Sequence, residues 1–191
     1  MVRAMADEVC EVPVPRLPEA PMSDVLAELL AKGASRPLVM TLGHAPEAFL
    51  PWYRYFGYLI HDGDVDLAVK ETARLRIAAL NDCPFCMQMR AKYRDGSQIL
   101  EEELAVAAQA GDRLHPGFTR EQRVVVTMAE QMFLAPADVS DDMFDSFRAE
   151  WSDAQMVELA LAIAQFIGMG KVFKFLGLRG SPLVPPPATT A

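Results

Sequence analysis

The chain has 191 residues, 51% of them hydrophobic, and a formal net charge of −8. That length and apolar content suit one folded domain and exclude a wholly disordered chain. The acidic balance argues against non-specific binding to nucleic acid or to an anionic membrane.

The first residues, MVRAMADEVCEVPVP, carry early acids and no apolar run, so they do not read as a secretory signal. Pro13, Pro15, Pro18 and Pro21 make residues 1–21 an extended N-terminal arm. Ser23 can cap a helix running to about residue 32. A second helical run covers 46–60 and breaks at His61-Asp62-Gly63-Asp64. Asp64 can cap the next, 65–81, and Asn81-Asp82-Cys83-Pro84 makes the following break. A helix from 84 to about 93 stops near Asp95-Gly96. Ser97 can cap 98–110, which Gly111 ends. Thr119 with Gln122, and Ser152 with Gln155, are capping-box pairs before helices at about 120–133 and 153–176. Ser140-Asp141-Asp142 opens a helix over 141–150.

Strand signals are weak, since Val124-Val125-Val126 sits inside a capped helical pattern. The expected fold is all-α, a compact bundle of about seven or eight helices. It fills residues 22–180 as a single domain, and SPLVPPPATTA at 181–191 is a Pro-rich tail. The most apolar stretch, Leu159 to Met169, is about half a membrane span and reads as a buried helix. The expectation is a cytoplasmic protein with no membrane partner. The last helix is apolar on several faces, which suits either a core helix or one between subunits.

There are three cysteines. Cys10 stands alone, whereas Cys83-Pro84-Phe85-Cys86 forms a CxxC. Pro84 at the first helical position makes Cys83 the N-cap, so free backbone N–H groups lie near both sulfurs and favour thiolate. Residues three apart in a helix have Cα atoms roughly 5–6 Å apart, within reach of a disulfide. Two other readings stand beside a redox dithiol. One is half of a zinc site completed from Cys10, His44, His61 or His115; the other is a pair of buried small side chains.

Two charged residues accompany the motif. Glu71 shares a helix face with Leu75, Ala78 and Asp82, leading toward the cysteines. It is either a desolvated carboxylate able to move protons or an ordinary partner of Arg74 at i+3. Arg90, four residues after Cys86 and on the same helix face, can stabilise a thiolate or pair with Glu71, but cannot act as a base. It reads equally as a solvated surface residue.

These residues, Glu71-Thr-Ala-Arg-Leu-Arg-Ile-Ala-Ala-Leu-Asn-Asp-Cys83-Pro-Phe-Cys86, resemble the alkyl hydroperoxidase D-like branch of the carboxymuconolactone decarboxylase family. That family places a Glu twelve residues before its first cysteine, as Glu71 and Cys83 do here. The likeness extends over roughly 40–178. It implies an all-α fold, homo-oligomers (dimers, trimers or hexamers) and peroxidase or thiol–disulfide oxidoreductase chemistry without a metal or organic cofactor. The substrate would be a peroxide or a disulfide, with a thiol as reductant. It also implies that Cys86 is the activated thiol, Cys83 its disulfide partner and Glu71 a relay carboxylate. Arg90 stands where the family has its relay His, which removes the obvious general base. Two further readings are a redox-sensing or non-catalytic oligomer and a decarboxylase-type enzyme acting on a small lactone.

Overall fold

A computed structural model describes residues 15–178. Cys10, most of the arm and the Pro-rich tail lie outside the described residues. Among the described residues, nine helices run in the order α1 Asp24–Ala31, α2 Arg36–Leu42, α3 Pro46–His61, α4 Leu67–Leu80, α5 Pro84–Gln88, α6 Glu102–Ala110, α7 Arg120–Leu134, α8 Asp141–Arg148 and α9 Asp153–Leu176. The all-α expectation holds.

α4 is the central helix, packed against α6, α7 and α9. Val69, Ala73 and Ile77 of α4 meet Val125 and Ala129 of α7 and Leu159 and Ile163 of α9 in the main core. The β-branched run in α7 is helical, with Val125 and Val126 buried and Val124 partly so, and its pattern follows the core rather than a strand preference. Both capping boxes form, with Thr119 and Ser152 accepting from the backbone of Gln122 and Gln155. Gly111 closes α6 at φ 74°, in the left-handed region that glycine tolerates best.

One helix is added to the expected seven or eight, and three expected boundaries move. Residues 36–42 form a helix absent from the expected elements, although Ser35 stands at its N-cap and Pro37 in its first turn. The cap of α4 is Asp66, which accepts from Ala68 and Val69 N–H. Asp64 instead lies in the turn before the helix, where its amide and that of Val65 donate to the Glu158 carboxylate of α9. Ser97 bonds Asp95 in a turn instead of capping, so α6 begins only at Glu102. α5 ends at Gln88 rather than near 93.

The described end of the arm is non-helical and tied down. Arg16 N–H donates to Leu176 O at 3.0 Å, and Ala20 N–H to Met40 O at 2.9 Å. α9 buries Leu159, Ile163 and Phe166 in the bundle, while Leu161, Val172 and Phe175 on its outer side are exposed. It is long and apolar enough to cross a membrane by length and composition, yet one face is built into this core.

Candidate active site around the Cys83–Cys86 pair

The cysteine pair sits at the start of α5, directly after the turn that ends α4. α4 ends at Asn81, whose side-chain amide donates to the carbonyls of Phe166 and Ile167 on α9, each at 3.2 Å. A Cβ on Gly170 would lie 2.3 Å from that amide nitrogen, so glycine there allows the approach. Asp82 then turns the chain at φ 47°, a left-handed conformation that Asp tolerates better than most residues. Lys174 of α9 holds its carboxylate at 2.9 Å. Cys83 follows as the N-cap of α5, with Pro84 opening the helix.

Cys83 and Cys86 form a disulfide, with Cα atoms 5.3 Å apart. The two sulfurs differ in access. Cys83 is 0% exposed, packed among Leu38, Phe85, Phe173 and Leu178, and its sulfur accepts the Cys86 N–H at 3.3 Å. Cys86 is half-buried and lines a cavity of about 610 Å³ from which Cys83 is absent. The cavity floor is apolar, formed by Trp52 and Phe56 of α3 with Phe166, Met169 and Phe173 of α9. Trp52 is oriented by donating its indole N–H to Gln165 at 3.0 Å.

Glu71 is buried, 2% exposed, and paired with Arg74. Arg74 donates Nε to one carboxylate oxygen at 2.6 Å and Nη2 to the other at 2.7 Å. Glu71 also accepts the Ala91 N–H at 3.1 Å. The same guanidinium reaches on to the carbonyls of Cys86 at 2.9 Å and Met89 at 2.7 Å. Glu71 and Arg74 thus form one buried clamp that grips the chain at 86, 89 and 91. The i+3 pairing was legible in the sequence. The bonds from Arg74 to the cysteine turn were not, because they depend on where the chain goes after α5.

That clamp also explains why α5 is short. Its last carbonyls need partners, and side chains supply them: Arg74 takes Cys86 and Met89, while Gln109 and Arg90 both take Met87. Met89 leaves the helix at φ −65°, ψ 138°. Arg90 therefore does not share a helix face with Cys86, contrary to the expectation from spacing. It lies past the helix end on the cavity wall and forms a two-point pair with Glu102 of α6, at 2.6 and 3.0 Å. Arg90 holds the Glu102 carboxyl below its usual range by donating to it.

Of the histidines, His44 is held by Pro18 O at 2.8 Å, and His115 lies near Glu103. His61, at the end of α3, lines the cavity that holds Cys86. Burial, then the Arg94 and Lys70 charges, push its pKa down against the opposing pull of Asp62, which favours neutral imidazole.

Comparison with known proteins agrees with this architecture. The fold is that of the alkylhydroperoxidase AhpD core. An uncharacterised peroxidase-related protein from Ralstonia eutropha JMP134, described as having that core, superposes with a TM-score of 0.71 over 88% of this chain and 93% of its own, at 21% identity. A second uncharacterised peroxidase-related protein, from Silicibacter sp. TM1040, gives 0.68 over 87% and 94%, at 17% identity. Among curated sequences, the uncharacterised protein YdfG of Bacillus subtilis (strain 168) is 21% identical over 118 residues, 61% of this chain and 79% of its own. No family model matches the sequence.

Proposed function

We propose that the protein is a thiol-dependent oxidoreductase whose redox centre is the Cys83–Cys86 pair, with Cys86 as the attacking sulfur. The observation that carries this reading is the asymmetry of access: Cys86 opens on the cavity, while Cys83 is sealed behind it. With a hydroperoxide, the Cys86 thiolate attacks the terminal oxygen and the O–O bond breaks. The alkoxide leaves and takes a proton to become the alcohol, and Cys86 becomes a sulfenic acid. The Cys83 sulfur then attacks Cys86, the disulfide forms and water is lost. With a disulfide substrate, Cys86 forms a mixed disulfide that Cys83 resolves.

Re-reduction runs the other way. An external thiolate meets Cys86, and Cys83 departs as the leaving thiolate. The Cys86 N–H already donates to that sulfur, and such a bond favours the charged form. In this reading Glu71 and Arg74 are positioning residues, because both carboxylate oxygens already carry donors. Arg90 is a wall residue of the cavity, and His61 is the imidazole available there as a base. Self-association has its support in the exposed apolar side chains Leu161, Val172 and Phe175 of α9.

Turnover of cumene hydroperoxide and of a small aromatic disulfide, followed for wild type, Cys86→Ser and His61→Ala, tests the assignment. Cys86→Ser should abolish both reactions. His61→Ala should slow the peroxide reaction more than disulfide exchange, because the leaving alkoxide needs a proton whereas a leaving aromatic thiolate does not. Full activity in Cys86→Ser would contradict the reading.

A further inference from the structure

The cavity beside Cys86 has a charge character opposite to that of the chain. The protein carries −8 overall, yet the charged side chains on the cavity wall are Lys32, Arg74, Arg90 and Lys92, and no Asp or Glu lines it. Their acidic partners, Glu28, Glu71 and Glu102, all lie off the wall. Lys92, exposed at the rim, has no ion-pair partner among the described residues. Below this cationic rim the floor is aromatic and aliphatic. A void of about 610 Å³ falls within the range of about 300–1,000 Å³ typical of small-molecule sites.

A neutral, compact substrate uses the floor but not the rim. A cation is repelled by the rim, and a small hydrophilic anion gains nothing from Trp52, Phe56, Phe166 and Phe173. The chemistry that satisfies both is an apolar chain ending in an anion. We propose that the cavity binds a single-chain amphipathic carboxylate, its chain on the aromatic floor and its carboxylate at Lys92. Resting on the redox reading above, the substrate class is then the hydroperoxide of an unsaturated fatty acid. Such a molecule joins a carboxylate head to a chain bearing the O–O bond that Cys86 reduces. One molecule of hydroperoxide and the two thiols give one hydroxy acid, one water and the Cys83–Cys86 disulfide.

Two experiments separate this proposal from the redox reading. Calorimetric titration of the full chain with decanoate and with 1-decanol measures the head-group preference without chemistry. Decanoate should bind about fivefold more tightly, and Lys92→Glu should erase that preference, as expected for one close charge pair at a protein surface. Equal binding of the two probes, binding of neither, or an unchanged preference in Lys92→Glu would overturn the proposal. The second experiment compares linoleic acid hydroperoxide with its methyl ester. The acid should be favoured in kcat/KM, chiefly through KM, and Lys92→Glu should narrow the ratio. Cys86-dependent turnover with equal kcat/KM for acid and ester would sink the substrate class and leave the redox reading standing. Decanoate preference without Cys86-dependent turnover would sink the redox reading and leave the anion site standing.

Discussion

Two consecutive residues of α4, Lys70 and Glu71, are both buried and both paired, and they do different work. Lys70 is 1% exposed, and its ammonium lies 2.6 Å from Glu158 of α9 with no other polar partner in reach. Glu158 also accepts the amides of Asp64 and Val65, and a Cβ on Gly63 would fall 2.0 Å from its carboxylate. That pair joins helices distant in sequence and pins the α3–α4 turn. Glu71 instead pairs within its own helix, and Arg74 spends its remaining donors on the cysteine turn. The first pair builds the fold and the second builds the site. Helix geometry makes this possible, because adjacent residues point about 100° apart around the axis.

Breaking either pair separates the two roles. The largest effect is expected for Arg74→Met, which leaves a buried carboxylate unpaired and frees the carbonyls of Cys86 and Met89. Stability should fall by about 3–5 kcal/mol. In the fraction that remains folded, Cys86 should react more slowly with a thiol-specific reagent. Urea denaturation and reagent kinetics check the two parts. Glu158→Gln should cost about 3 kcal/mol by leaving Lys70 without its counter-charge, while the reactivity of Cys86 in the folded protein stays near wild type. A slowed Cys86 in this variant would erase the distinction between the pairs.

Acid sharpens the same contrast. Burial alone would raise the Glu158 carboxyl, but the Lys70 ammonium and the Asp64 and Val65 amides overcome it and hold the group below its ordinary value of 4.5. Its stabilisation is therefore complete above that value and is lost as pH falls through the lower, folded value. The stability gap between wild type and Glu158→Gln should shrink on acidification, read from denaturation midpoints between pH 7 and 3. Gly63→Ala should cost about 1–3 kcal/mol, since the added methyl displaces the carboxylate. The smallest effect is expected for Thr119→Ala, about 1 kcal/mol from a lost cap on α7, with no change at the dithiol.

What the sequence disclosed follows the same division between local and distant bonds. The caps at Thr119 and Ser152 are legible because donor and acceptor are three residues apart. The glycine closing α6 is legible for the same reason. Asp66 rather than Asp64 caps α4, and the turn that carries Asp64 is fixed by Glu158, more than ninety residues away, a bond no local pattern shows. Arg90 leaves the expected helix face because Arg74, Gln109 and Arg90 itself capture the carbonyls that would have continued α5. The cysteine motif and its Glu71 partner were visible as a pattern. Which sulfur faces the cavity, and what charge surrounds it, depend on α3 and α9 closing over the turn.

The central claim is that the two cysteines have unequal roles set by their unequal access. Trapping with a sulfenic-acid-specific dione after hydroperoxide treatment of the reduced single variants tests it most directly. The account predicts a stable adduct on Cys86 in Cys83→Ser, where no resolving thiol remains, and none on Cys83 in Cys86→Ser. Equal labelling of both variants, or labelling of Cys83 alone, would contradict it.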